Sequence, residues 1–546
     1  MIRFRLLVQT FCLGLFLLLL TLASVSGISM TNLDLFLQMD PGLVLVSAIS
    51  SRIFIAAFIP AVLVMFSVPF IGRVFCGYIC PMGTTIDFTD SLFRFKNKHY
   101  LFSKNLLKIK YLVLIFLLGS AFLGVSYAFF ASPLSLITRF YGLIIFPVIS
   151  FLSREVLDLI RPLGDMLDIS SLSFAQIRTI RFDTQFFVLL FFVFVFSMVI
   201  FSSRFWCRYL CPTGALLSFF SKAPVTRRQV SHLCNQCGKC ARKCPMSAID
   251  IEKPERTFFS ECIVCKTCED ICPEKAVTFE SSKKDTIGCE SFSPKRRAFV
   301  STGIVGAGTA IMSLTGLNSL YGKPGEGQVG AKGLVRPPGA IMETDFLSRC
   351  VRCGECMVAC PTNTLQPIWF SAGFPSLFSP AVTPRRGFCD PKCHECGNVC
   401  PTNAIRSIEK SDRVWAKTGT AIIIRQKCLA WEFKKSCMVC DEVCPYDAIE
   451  FLKEKDNKVP VPHVIENKCA GCGYCEHFCP VRNQAAIEVS PMDALRINQG
   501  DYKKEAQLKG FKLRIKKTQG QKTDPVEAYP DMQQGSAPGF DEDFSE

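Results

Sequence analysis

The chain has 546 residues, too many for one core, and 49% of them are apolar, with 48 Phe, which assigns part of it to lipid. Its formal charge is +15, but thiolates among its 30 cysteines would cancel much of that, and the basic residues cluster beside apolar runs, where topology explains them better than nucleic-acid binding. A disulfide scaffold is excluded, because that framework belongs to short secreted chains.

A membrane helix needs about 20 apolar residues. Four runs meet this, residues 6–26, 53–71, 111–130 and 186–202, and predict an α-helical bundle of four spans within residues 1–220. MIRFR could open a signal peptide, but the apolar core is long and no small-residue cleavage site follows, so the first run reads as a retained span. Arg94, Lys96, Lys98, Lys104 and Lys108 follow the second span, whereas Arg52 is the only basic residue between the first two, which puts the first loop outside and the second inside. The third loop balances Arg139, Arg154, Arg161, Arg178 and Arg181 against Glu155, Asp158, Asp165, Asp168 and Asp183, and fits the outer side. Within it the 13 residues 140–152, with Pro147, read as a re-entrant or interfacial helix.

Two spans end in matching stretches, FCGYICPMG at 75–83 and WCRYLCPTG at 206–214. Arg73 echoes Arg204, Tyr78 echoes Tyr209, Pro81 echoes Pro212, Gly83 echoes Gly214 and Phe88 echoes Phe219. A lone CxxxC in a membrane protein reads as two small buried residues. On a helix, however, residues i and i+4 share a face, and the echo predicts that Cys76, Cys80, Cys207 and Cys211 meet at the cytoplasmic interface as one four-thiol redox or metal site.

Residues 221–290 carry Cys234, Cys237, Cys240, Cys244 and then Cys262, Cys265, Cys268, Cys272, both followed by Pro. This is the bacterial ferredoxin run CxxCxxCxxxCP, in which three thiolates on a tight loop hold one 4Fe–4S cube and the fourth reaches its neighbour. The spacing therefore predicts a cytoplasmic two-cluster domain, with Cys234, Cys237, Cys240 and Cys272 on one cluster and Cys262, Cys265, Cys268 and Cys244 on the other. Within 291–345, SPKRRAFVSTGIVGAG resembles a twin-arginine export signal in mid-chain, acting as an uncut anchor over residues 298–320, and a Gly- and Pro-rich linker follows at 321–340. An ordinary fifth span would send the remainder outward equally well.

Residues 346–499 hold four more quartets: Cys350, Cys353, Cys356, Cys360; Cys389, Cys393, Cys396, Cys400; Cys428, Cys437, Cys440, Cys444; and Cys469, Cys472, Cys475, Cys479. Their pairing is open between adjacent and nested. Zinc also takes four thiolates, but it calls for neither the third CxxC step nor the closing CP, so the quartets predict six 4Fe–4S clusters. Residues 500–546 are polar and read as a disordered tail. There is no CxxCH, Walker loop or dinucleotide fingerprint, and the five histidines lie outside the spans, so the chain moves electrons without an organic cofactor or an intramembrane haem.

The first 290 residues or so, with the two CxxxCP stretches and two ferredoxin quartets, resemble NapH, the membrane ferredoxin-type partner of periplasmic nitrate reductase. From Lys295 onward, KRRAFV, RCVRCGECMVACPTNTLQP, CLAWEFKKSCMVCDEVCP and CAGCGYCEHFCP resemble NapG and the related MauM ferredoxins. The resemblance implies a quinol dehydrogenase of the bacterial inner membrane that relays electrons from the quinone pool to a periplasmic reductase or small carrier, with its outer domain exported folded. A redox maturation factor for a metalloenzyme is the alternative, against which the four outer quartets count. Asp87, Asp90, Glu155 and Asp158 are the carboxylates near the spans that could accept quinol protons, though each also reads as a solvated interface residue.

Overall fold

Asp40-Pro41 and Ser132-Pro133 open two helices alike, because an Asp or Ser side chain caps free N–H groups and proline presets φ at the first helical position. The computed structural model describes residues 2–24, 34–53, 56–93, 104–166, 177–183, 185–222, 224–281, 296–314, 333–454 and 457–516. Helix α1 is Ile2–Leu22, α2 Pro41–Ser51, α3 Ile59–Ile71, α4 Pro81–Leu92, α5 Ile109–Phe122, α6 Pro133–Phe140, α7 Phe146–Met166, α8 Gln185–Ser197 and α9 Pro212–Phe220. The order α1–α4 recurs as α5, α6, α8 and α9, with a CxxxCP stretch before the last helix each time. The halves exchange partners: α2 packs on α9 and α6 on α4.

Helix α1, from Phe4 to Leu22, is the one described helix long and apolar enough to cross a membrane alone; Pro41–Ser51, Ile59–Ile71 and Gln185–Ile200 are apolar but shorter. Four full-length spans are thus not what the helix lengths show. The third run is cut after Phe122 by Gly124, at φ 84°, and the second stops at Gly72, at φ 73°, backbone angles that end helices. Residues 140–152 belong to a continuous helical run from Pro133 to Met166 rather than to a short re-entrant segment. The π-turn Tyr141–Ile145 widens the backbone where the Pro147 ring would otherwise strike the carbonyl of Leu143. Helix α2 lies where only a loop was expected; its cap residue Asp40 is fully buried and accepts hydrogen bonds from the Gly42 and Leu43 N–H groups, Ser132 and Thr213.

Helix α10, Arg296–Leu314, occupies the expected anchor, while Lys295 and residues 315–332 of the anchor and linker lie outside the described residues. Gly303 lies against Gly119 and Gly306 against the backbone of Phe116, so α10 runs antiparallel to α5, with its first turn toward the end of α5 nearer the C-terminal unit. That is opposite to the direction an outward-running anchor requires. Small residues permit this close approach in either direction, so composition gave no sense of it.

The first ferredoxin unit is closed by antiparallel β1 (Thr226–Val230) and β2 (Val277–Ser281), in register Thr226↔Ser281. The C-terminal unit has three such pairs: β3 (Leu365–Pro367) with β4 (Pro380–Val382), β5 (Thr420–Ile423) with β8 (Ile487–Ser490), and β6 (Ile449–Leu452) with β7 (Val461–Val464). It is larger than 346–499 at both ends. Val335, Arg336 and Ile341 are buried, and Tyr502, Ala506 and Leu513, read as tail, complete its core. Residues 517–546 lie outside the described residues.

The two ferredoxin units sit at opposite ends of the helical unit. Lys110, at the start of α5, pairs with Glu261 of the first, whereas past the other end of α5 Phe130 stacks on Phe374 of the second at 5.1 Å.

Candidate iron–sulfur and thiol sites

The closing Cys-Pro of five quartets carries its thiol to the loop of a neighbour. Cys262, Cys265 and Cys268 line one cavity with Cys244 of the preceding quartet. Cys350, Cys353 and Cys356 line another with Cys400, Cys428, Cys437 and Cys440 a third with Cys479, and Cys469, Cys472 and Cys475 a fourth with Cys444. Cys360 faces Cys389, Cys393 and Cys396, and Cys240 shares an apolar cluster with Cys272. The exchange expected for Cys244 is thus the geometry present, and the pairing that spacing left open among the four C-terminal quartets is between adjacent ones.

These thiols are also prepared for charge. Backbone N–H groups of Ala248, Ile405, Ala448 and Ala486 donate to Sγ of Cys244, Cys400, Cys444 and Cys479 at 3.3 to 3.4 Å, and Arg413 donates to Cys389 at 3.1 Å. Burial pushes the thiols of Cys356, Cys396 and Cys475 well above their ordinary pKa. Thiolates there need a bound cationic centre, and loading it releases protons. Gly354 and Gly473, at φ 92° and 86°, follow the second cysteine of their quartets, where the loop turns left-handed; Lys266 takes that position in the second quartet at φ 57°.

At the first end, the helical unit grips a cluster loop by its backbone. Tyr78 donates to the carbonyl of Val264 at 3.1 Å, Arg73 to Ser260 at 2.9 Å and Ser221 to Phe259 at 3.2 Å. A Cβ on Gly77 would stand 2.6 Å from the carbonyl oxygen of Ile263. Gly77→Ala should therefore lift the loop, at a cost of about 1–3 kcal/mol, and appear as faster amide exchange over residues 260–264. At the other end Ser50 donates to Ser348 at 2.6 Å, Ser135 to Val351 at 2.7 Å and Arg139 to Arg352 at 3.2 Å. Each end thus seats the loop that bears a cluster's first cysteines.

The two CxxxCP stretches also meet. Arg204, left-handed at φ 51°, crosses to the first stretch, donating to the Cys76 carbonyl at 3.0 Å and to both carboxylate oxygens of Asp87 at 2.7 and 2.6 Å. Arg73 crosses to the second, reaching within 2.9 Å of where a Cβ of Gly214 would stand. Behind them lie Lys110, bound to Glu261 at 2.5 and 2.6 Å, and Arg5, bound to Asp87. Asp87 is therefore not a solvated interface residue, whereas Asp158 is, between Arg154 and Arg161 at the surface. The thiols do not share a regular α-turn as expected: Cys80 and Cys211 donate their N–H groups five residues back, to Phe75 and Trp206, and cap the following helices. Sequence reasoning missed Glu261 and Asp40; the Asp-Pro cap signature could have found the second, and nothing local marks the first.

Distant ends of the C-terminal unit are tied by Glu343, which accepts from Arg336 at 2.5 Å and Arg496 at 2.9 Å. Burial alone would raise its pKa, but the hydrogen bonds and charges of the two arginines outweigh burial and hold it below the usual carboxylate range. A folded pKa below the unfolded one gives stability that is present above the unfolded value and lost as pH falls through the folded one. Glu343→Gln should thus lower the melting temperature at pH 7, and the difference from the parent should close below about pH 4.

Buried thiol quartets with exchanged closing cysteines, on small antiparallel pairs, define an iron–sulfur electron-transfer protein of the ferredoxin type. Family models agree: a 4Fe–4S binding domain matches residues 52–98 and again 184–231, 4Fe–4S dicluster domains match 233–277 and 435–483, and a further 4Fe–4S binding domain matches 346–366. The methylamine utilization ferredoxin-type protein MauM of Methylorubrum extorquens is 34% identical over 211 residues, 37% of this chain and 91% of that protein. MauM of Paracoccus denitrificans is 39% identical over 169 residues, 29% and 72%, and the ferredoxin-type protein NapG of Escherichia coli 36% over 186 residues, 32% and 78%. The chain belongs to the MauM and NapG family of ferredoxin-type proteins.

Proposed function

We propose that the chain is a membrane-bound relay that oxidises quinol and passes electrons through six 4Fe–4S clusters to a periplasmic reductase of the nitrate reductase kind or to a small carrier. The observation that carries this reading is the seating of one cluster loop on each end of the helical unit, residues 260–264 at one and 348–352 at the other. Bonds from helix side chains to loop carbonyls fix the cysteine loops against the helices, as a path for electrons between the two units needs.

A bilayer setting for the helical unit is supported by its outward apolar faces. Phe4, Leu7 and Phe11 of α1, Leu63, Phe66 and Phe70 of α3, and Phe186, Leu190 and Phe194 of α8 are all more than half exposed. In this reading 1–220 is the membrane domain, 221–290 the cytoplasmic ferredoxin and the C-terminal unit the periplasmic one, the sidedness resting on the basic residues of the second loop. The twenty-four quartet cysteines are the cluster ligands.

Adding a quinol analogue to anaerobic membranes containing the loaded protein should bleach its iron–sulfur absorbance. An unchanged spectrum in a preparation that dithionite still reduces would refute quinol oxidation.

A further inference from the structure

We propose that Arg139 of the helical unit and Arg352 of the C-terminal unit together raise the reduction potential of the cluster held by Cys350, Cys353, Cys356 and Cys400, which makes it the station that takes up electrons where the two units meet. The effect on potential is independent of the relay reading; only the service of this cluster as first acceptor from the helical unit rests on that reading.

A buried guanidinium needs a counter-charge, and elsewhere in this chain a carboxylate supplies it: Arg73 has Glu261, Arg204 has Asp87 and Arg336 has Glu343. Arg139 and Arg352, both 2% exposed, have none among the described residues. Arg139 donates to the carbonyl of Phe129 at 2.9 Å, to that of Arg352 at 3.2 Å and to the Ser135 hydroxyl at 3.3 Å, all neutral acceptors. Arg352 donates to the Pro375 carbonyl, and its Nε and Nη1 are buried without a partner among the described residues. Aromatic rings shield both from water, Phe129 at 3.7 Å from Arg352 and Phe378 at 4.6 Å from Arg139.

Two other buried arginines bonded to no carboxylate among the described residues, Arg228 and Arg413, donate to cluster thiols, Cys240 at 3.5 Å and Cys389 at 3.1 Å. Arg139 and Arg352 bond to no thiol, so they act on their cluster through charge alone. Nor does the loop require an arginine. Arg352 is the left-handed residue between the first two cysteines, at φ 54°, and in three other quartets that place is taken by the uncharged Gln236, Val264 and Gly471, at φ 56°, 52° and 71°. What distinguishes Arg352 is its charge, held at the wall of the cavity that Cys350, Cys353, Cys356 and Cys400 line.

Four thiolates around an iron–sulfur core carry net negative charge, and each electron taken up adds one more. Fixed positive charge beside the core favours the reduced form, most strongly where water is excluded. The acids on this side do not cancel the pair. Glu355, in the cluster loop itself, is buried and feels the like charge of Asp34, and two carboxyls buried together do not both ionise, so they offset at most one of the two guanidiniums. Because one arginine comes from each unit, the full effect exists only while the two units are seated on each other. Uptake moves one electron onto the cluster and its release passes one on, with no bond made or broken.

The test is a redox titration of the full-length protein, purified anaerobically in detergent, with dithionite as reductant and the cluster spin signals followed by electron paramagnetic resonance. The signal missing from Cys353→Ser marks this cluster. Arg352→Gln, which places there the residue found at position 236, and Arg139→Gln should each move its midpoint to lower potential by about 59 mV or more, a tenfold change in the one-electron equilibrium constant. Arg352→Lys and Arg139→Lys keep the charge and should move it by less than half as much, and the signal missing from Cys265→Ser should not move in any of the four. An unmoved midpoint in both Gln variants, an equal fall in the Lys variants, or an equal fall in the Cys265 signal would overturn the proposal. So would loss of the cluster from both Gln variants, since the arginines would then build the cradle rather than tune it. No quinol enters the titration, so a protein that shows these shifts but ignores quinol refutes only the relay.

Discussion

Glu261→Gln is expected to loosen the first ferredoxin unit from the helical unit by about 3–5 kcal/mol, the cost typical of removing one partner from a buried ion pair. Glu261 is 7% exposed, and its carboxylate binds Lys110 at 2.5 and 2.6 Å and Arg73 at 3.4 Å, both of those side chains being 1% exposed or less. The amide keeps the shape but leaves two cations buried with no compensating charge. Hydrogen exchange in detergent should show residues 259–264 and the first turn of α5 opening together, while strands β5 to β8 of the other unit stay protected. The double variant Glu261→Leu/Lys110→Met should recover much of the loss, because apolar residues of similar volume often replace a buried pair at little cost. Unchanged exchange in Glu261→Gln would mean that these charges do not hold the units together.

Cys244→Ala should remove a cluster from the quartet to which Cys244 does not belong by sequence. Its thiol lines the cavity of Cys262, Cys265 and Cys268. The variant should lose the spin signal that Cys265→Ser also loses, and Cys272→Ala should instead copy Cys240→Ser. Cys400→Ala and Cys353→Ser should match in the same way, since Cys400 lines the cavity of Cys350, Cys353 and Cys356. If Cys244→Ala instead matched Cys240→Ser, the exchange would be wrong for that pair.

The ferredoxin half was legible because its chemistry is local. Three cysteines on a tight loop and a Cys-Pro beyond it leave the backbone little choice, and the stretched gap from Cys428 to Cys437 does not disturb the cradle that they share with Cys440 and Cys479. The meeting of the CxxxCP stretches was legible from their echo, down to Arg73 and Arg204. What holds them was not, for Glu261 and Asp87 are ordinary loop and helix acids until the fold buries them between cations. Helix lengths were misread where one glycine angle, such as Gly124 at φ 84°, or the π-turn before Pro147 redirects an apolar run that hydropathy treats as uniform. Helix α2 escaped because hydropathy favours long runs over an 11-residue helix capped by a buried aspartate. The direction of α10 was hidden because small residues on a helix face carry no polarity.

Electron transfer between the two ends of the helical unit is the central claim, and vesicles test it most directly. Liposomes holding the loaded protein and enclosing ferricyanide should discharge that oxidant when dithionite is added outside, through molecules whose two ferredoxin units face opposite sides. Cys353→Ser, which breaks the cradle seated on the far end, should slow the discharge to the leak of protein-free liposomes. Discharge no faster than that leak with the parent protein, its clusters loaded, would contradict the relay.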